Sequence, residues 1–130
     1  MLFAPMSAHP EVQPDAVAAQ LVAALASYEQ EVEALLAAWP DMAHYEGVGA
    51  RIDDIRRHAA GLPTVSVQFV ALLIAHTELV HVLWTQVNGA SPQHAQHLQA
   101  AREQHRECAA GLRLRCKALL STRAECGPKS

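Results

Sequence analysis

The stretch from residue 63 to residue 89, PTVSVQFVALLIAHTELVHVLWTQVNG, constrains the fold of this chain more than any other. It is almost continuously apolar, and at about 100° per residue one face of the predicted helix collects large apolar side chains and one histidine. The residues of that face are Val65, Phe69, Leu72, Leu73, His76, Leu79, Val80, Leu83 and Val87. Because Val70, Ile74 and Val82 make the remaining circumference partly apolar, the sequence predicts either a central helix or a helix with a partner outside the chain.

Three other segments have the period of an amphipathic helix. The stripe of helix 1 is Val17, Leu21, Leu25, Tyr28, Val32, Leu35 and Trp39. The stripe of helix 2 is Met42, Tyr45, Val48, Ile52, Ile55, Ala59 and Leu62. The stripe of helix 4 is Ala95, Leu98, Ala101, His105, Cys108, Leu112, Cys116 and Leu119. Four helices with short connections and no strand pattern predict an all-α protein, an up-down-up-down antiparallel four-helix bundle.

The prolines, glycines and capping residues give the expected boundaries of these helices. We expect a mobile N-terminal arm at 1–14, a frayed C-terminal tail at 122–130 and one bundle domain at 15–121, with helices at about 15–39, 41–60, 64–88 and 92–121. Asp15 and Asp41 are predicted N-caps. Gly47 and Gly49 weaken the first half of helix 2, so regular helix is expected only from Ala50.

Charge is distributed unevenly along the chain. Residues 1–60 carry nine acidic and three basic side chains, whereas residues 61–130 carry four and seven. We therefore expect Glu29, Glu31 and Glu33 of helix 1 to face the basic end of helix 4. The net charge of -3 does not favour a protein that binds nucleic acid or a membrane surface.

The cysteines and the N-terminal residues predict a cytoplasmic location. Three cysteines without a secretory signal indicate a reduced protein. A transmembrane span at 63–89 is disfavoured because His76, Glu78 and His81 interrupt it and no aromatic belt flanks it. The excess of arginine over lysine and the abundance of alanine are typical of a bacterium with a GC-rich genome.

Two stripe histidines are predicted to meet inside the bundle. Counted from residue 90 as the centre of the last turn, His76 lies 14 residues before it and His105 lies 15 residues after it. The same count across the turn at residue 62 places Gly47, Val48 and Gly49 opposite His76. Because glycines leave side-chain volume empty, these residues predict a small polar cavity beside the histidines.

The two imidazoles have two possible roles. In one, they are buried and hydrogen-bonded to each other, to Tyr28, to Tyr45 or to a water molecule. In the other, His76 and His105 join Cys108, one turn further along helix 4, in a site for zinc, another transition metal or a small ligand. The sequence leaves both alternatives open.

Two other pairs of potential metal ligands have spacings that are less indicative of a metal site. Glu78 and His81 have the spacing found in di-metal carboxylate bundles, but those proteins need a second copy of the pair, and the sequence has only one. His94 and His97 lie in the predicted first turn of helix 4, where an exposed polar turn is the ordinary explanation. The sequence has no glycine-rich phosphate loop and no nucleophile–base arrangement, so it does not predict an enzyme.

We therefore expect a small, non-catalytic interaction protein. The surplus apolar surface of helix 3 and the alanine face of helix 1 predict self-association, as a homodimer, or binding to another protein. The alternative is a sensor that binds a metal or a small ligand between His76 and His105.

Overall fold

The predicted fold is confirmed. The computed structural model of the chain describes residues 14–89 and 91–126, with the side chains of 15–89 and 91–121. These residues form α1 (Pro14–Ala38), α2 (Met42–Ala60), a 3₁₀ turn (Pro63–Val65), α3 (Ser66–Val87) and α4 (His94–Cys126), and contain no strand. The helices form an antiparallel bundle in which α1 packs on α2 and α4, and α3 packs on α4, whereas α2 and α3 meet much less closely.

Most residues of the predicted stripes lie in the core or at its edge, but Met42 and Val87 are exposed, and Ala75, Val82 and Ala109 are buried although they lie outside the predicted stripes. All of the helix 1 stripe up to Leu35 is buried, and Trp39 is half-buried. Burial of each large aliphatic side chain contributes about 1.5–3 kcal/mol, which makes this stripe a main source of stability. The 3₁₀ turn contributes Val65 to the core, and the apolar core residues of α3 and α4 are Leu72, Ala75, Leu79, Val82, Leu83, Ala101, Ala109, Leu112 and Cys116.

The start of α2 agrees with the sequence, whereas the other three helix starts differ; α3 begins at Ser66, after the 3₁₀ turn, and not at residue 64. The Asp41 side chain caps α2 by accepting hydrogen bonds from the backbone N–H groups of Ala43 (2.9 Å) and His44 (3.3 Å). By contrast, α1 begins at Pro14, so Asp15 lies inside the first turn, where its charge complements the helix dipole. The start of α4 at His94 lies beyond the predicted start at 92, because residues 92 and 93 form a turn first.

The C-terminal helix is longer than predicted. α4 continues to Cys126, past the expected end at 121, so the first part of the predicted tail is helical. Of the predicted arm at 1–14, only Pro14 lies within the described residues.

The expectation that regular helix begins only at Ala50 is wrong. α2 is continuous from Met42 through both glycines. Gly47 serves close packing, since a Cβ added there would lie 2.7 Å from Oε2 of Glu31 on α1. The Glu31 carboxylate is held there by His44, whose Nδ1 lies 3.0 Å from Oε2.

Charged pairs join the acidic α1 to the basic α4, as predicted for two of the three glutamates. Arg113 pairs with Glu29, and Nη2 of Arg102 lies 3.6 Å from Oε1 of Glu33. The third, Glu31, pairs with His44 of α2 instead.

α3 combines high hydropathy with incomplete burial. The segment Pro63–Val87 is long and apolar enough to cross a membrane by length and composition, with a mean hydropathy of 1.6 in its most apolar window. Only 28% of that window is buried within the bundle. The surplus apolar surface predicted from Val70 and Ile74 is therefore present, whereas Val82 is buried.

Candidate functional site

A hydrogen-bonded group of three side chains lies at the centre of the bundle. The Tyr28 hydroxyl of α1 lies 2.9 Å from Nδ1 of His76 on α3 and 2.6 Å from Nε2 of His105 on α4. Tyr28 and His105 are buried, and His76 is half-buried. We call these three residues the central triad, and they connect three of the four helices.

The central triad is uncharged at neutral pH. Burial raises the pKa of Tyr28 far above its ordinary value. Burial, followed by the charges of His76 and Arg106, lowers the pKa of His105 to about 4. The pKa of His76 is lowered chiefly by burial and secondarily by the charge of Arg56.

The distances in the triad indicate which group donates each hydrogen bond. A neutral tyrosine has one hydroxyl proton, so it donates to one imidazole and accepts from the other. The distance of 2.6 Å fits the Tyr28 hydroxyl donating to Nε2 of His105, because O–H donors approach more closely than N–H donors. Nδ1–H of His76 then donates to the Tyr28 oxygen over 2.9 Å, which leaves Nε2 of His76 with a lone pair.

The predicted meeting of His76 and His105 is confirmed, and Tyr28 is the partner that joins them. Tyr28 was one of the partners that the sequence allowed for buried imidazoles. A count across the turn at residue 40 gives Val32 as the residue of helix 1 at the height of His76. Tyr28, one turn away on the same stripe, reaches the histidines because its side chain is long.

The third predicted metal ligand, Cys108, makes a different contact. Its Sγ is half-buried and accepts a hydrogen bond of 3.6 Å from Nε2 of Gln104 on the same helix. Within residues 14–89 and 91–126, no group of three or more histidine, cysteine, aspartate or glutamate side chains is arranged to hold a metal ion. A metal between His76 and His105 stays a prediction, and it would have to displace the Tyr28 hydroxyl.

A small cavity opens beside His76, between α2 and α3. Its volume is about 150 Å³, and it is lined by Tyr45, Glu46, Val48, Gly49, His76 and Val80. The sequence predicted a small polar cavity opposite His76 at 47–49. Val48 and Gly49 do line this cavity, but its wall is mainly apolar. Gly47 does not line it, because it faces Glu31 instead.

Three aromatic side chains pack edge to face next to this cavity. The ring of Trp84 lies 5.0 Å from that of Trp39 and 5.6 Å from that of Tyr45, centroid to centroid. This cluster was not predicted from the sequence. The signal was present, because the count across the turn at residue 62 places Pro40, next to Trp39, opposite Trp84.

A wider groove on the outer surface lies between α3 and α4. It has a volume of about 560 Å³ and includes Glu78 and His81 from α3 and His97 from α4. These side chains are exposed, and among the described residues they form no metal-binding group. The half-buried His94 does not line this groove.

Comparisons with known proteins give no guide to function: no protein-family model, curated protein or solved structure matches this chain. The function has to be inferred from the residues and their geometry.

Proposed function

We propose that this chain is a non-catalytic, cytoplasmic helical module that forms a homodimer through an exposed apolar stripe on α3. The observation that carries the proposal is the exposure of Val67 (76%), Val70 (50%) and Ile74 (65%). Their spacing places them on one outer face of the helix, with the exposed Ala71 beside them. Clustered apolar exposure of this kind is typical of a protein–protein contact, whereas single exposed apolar residues are normal.

A second copy of the chain fits this stripe better than an unrelated partner. In an antiparallel two-fold contact, Val67 of each copy would face Ile74 of the other, with Val70 and the small Ala71 near the axis. The edge of the stripe carries both signs of charge, because Arg56 stacks over the Phe69 ring at 5.8 Å and pairs with Asp53. In a two-fold contact, a positive side chain of one copy can pair with a negative side chain of the other.

A lipid bilayer fits the stripe less well. From Val67 to Ile74 the stripe is about 10 Å long at the helical rise, whereas a bilayer core is about 30 Å thick. Further along α3, Glu78 and His81 are exposed. The alanine face of α1 consists of Ala18, Val22, Ala26, Ala34 and Ala37. It supports the dimer less than α3 does, because Ala18 is buried within the bundle and the exposed Ala26 and Ala37 have small side chains.

Sedimentation of the full-length chain over a wide concentration range tests the proposal. We expect a monomer–dimer equilibrium that Ile74→Glu weakens by at least about tenfold, because a carboxylate would be buried against apolar groups. The matched control is Leu114→Glu on α4, where the leucine is 70% exposed and lies outside the stripe. It should dimerise like the parent.

Three outcomes would overturn the proposal. They are a parent protein that stays monomeric at high concentration, an Ile74→Glu variant that is folded and dimerises like the parent, and stripe-dependent binding to lipid vesicles in place of dimerisation. Far-UV circular dichroism establishes that each variant is folded.

A further inference from the structure

The cavity between α2 and α3 has the character of a small-molecule site. The side chains of Val48 and Val80 form apolar walls of the cavity, and Tyr45 adds an aromatic ring. Gly49 leaves space, since a Cβ added there would have no atom within 4 Å. The volume of about 150 Å³ equals that of an engineered apolar cavity in another protein that takes up benzene.

His76 adds an imidazole to the wall of this cavity, which also includes Glu46. Its Nδ1 is held by Tyr28, which fixes the ring and, by the distances in the central triad, leaves the Nε2 lone pair free to accept. The described side chains offer Nε2 no hydrogen bond. A lone pair of this kind, next to apolar walls, selects a ligand with one hydrogen-bond donor.

We propose that the cavity binds a neutral, single-ring phenol, with the ring against Val48 and Val80 and the hydroxyl donating to Nε2 of His76. Glu46 also lines the cavity and disfavours anions of the same size, such as benzoate. This site lies on the α2 side of His76, not between His76 and His105, where the Tyr28 hydroxyl lies. The inference does not depend on dimerisation through α3.

Titration of the full chain with phenol, followed by NMR, tests the site. We expect saturable changes in the NMR chemical shifts of the His76 ring and of the Val48 and Val80 methyl groups. Toluene, which lacks the donor, should bind at least about tenfold more weakly, because the imidazole lone pair would be left unpaired in a partly buried site. Benzoate should also bind more weakly than phenol.

A matched pair of glycine variants locates the site. Gly49→Leu places a side chain in the cavity and should weaken phenol binding by at least about tenfold, because it removes the space for the ring. Gly111→Leu makes the same change at another helical glycine with open space around it, away from the cavity, and should bind phenol like the parent.

Several results would overturn the inference. They are the absence of saturable shifts in the parent, shifts that map away from His76, Val48 and Val80, equal binding of toluene and phenol, or undiminished binding by Gly49→Leu. The shift map of the parent decides the location even if Gly49→Leu does not fold. Dimer affinity is measured separately, so failure of either proposal is distinguishable from failure of the other.

Discussion

The Tyr28 hydroxyl and Nε2 of His105 lie 2.6 Å apart, although 77 residues separate them in the sequence. The contact ties the first helix to the last, and the second contact of Tyr28, with Nδ1 of His76, adds the third helix. Both imidazoles therefore depend on one hydroxyl group of α1 for the hydrogen bonds that join α3 and α4 to that helix.

Removal of that hydroxyl should be strongly destabilising. Tyr28→Phe keeps the ring but leaves two nitrogen atoms without their partner, and we expect a loss of about 2–4 kcal/mol in the free energy of unfolding. Urea denaturation measures the loss. Tyr45→Phe is the control, since the Tyr45 hydroxyl makes no hydrogen bond with the described residues, and its effect should be within about 0.5 kcal/mol. Equal losses for the two variants would contradict a structural role of the triad.

Stability should fall with acid. The folded pKa values of His76 and His105 lie below the unfolded value of about 6.5, so the unfolded chain binds more protons as the pH drops. Their contribution is complete above pH 6.5 and is lost progressively towards the pKa of His105, about 4. His44 has the opposite effect on the pH dependence of stability, because its hydrogen bond with Glu31 raises its pKa and protonation of His44 therefore favours the folded chain.

Chemical denaturation at several pH values measures this dependence. His105→Leu should flatten the decline below pH 6.5 by up to about 1.4 kcal/mol per pH unit, the limit for one proton. His76→Leu should also flatten it, and His97→Gln, at an exposed site, should keep the slope of the parent. A parent-like slope in both leucine variants would show that other groups govern the acid sensitivity.

The two glycines of α2 should respond differently to alanine. Gly49→Ala meets no atom within 4 Å and should stabilise the protein by about 0.5–1 kcal/mol through helix propensity. Gly47→Ala should gain less, because its Cβ would displace the Glu31 carboxylate from His44. NMR titration should then give a lower pKa for His44 in Gly47→Ala than in the parent. An unchanged His44 pKa together with an equal gain in stability would contradict the close approach.

Metal analysis tests the alternative function. We expect no stoichiometric zinc in freshly purified protein and no change in stability on chelation at neutral pH, because a structural zinc site needs four ligands. The opposite outcome, a bound metal that disappears in His76→Ala, would assign His76 as a ligand and replace the triad by a metal centre.

The fold and the equal height of His76 and His105 along the bundle axis were predictable from the sequence, because both depend on simple geometry. Helical period, Pro40, Pro63 and the turn at 88–89 define four antiparallel helices, and equal distances from a turn bring side chains to the same height. The choice of Tyr28 among the possible partners was not predictable, because it depends on side-chain reach rather than on register.

The continuous helix at the glycine-rich start of α2 was also not predictable, because it depends on a contact with another helix. Helix propensity describes an isolated segment, whereas Gly47 is favoured by the carboxylate of Glu31, which comes from another helix. The aromatic cluster of Trp39, Tyr45 and Trp84 also forms only in three dimensions. Contacts between helices thus determine these two features, which the helical period of the sequence cannot predict.

The sparse packing between α2 and α3 has a consequence for local opening of the bundle. The central triad fastens α1, α3 and α4 to one another and takes no side chain from α2, which is attached mainly through α1. We therefore expect local opening of the bundle to involve α2, which would uncover His76 while its hydrogen bond with Tyr28 stays intact. Amide protons of α2 should accordingly exchange with solvent sooner than those of the other three helices.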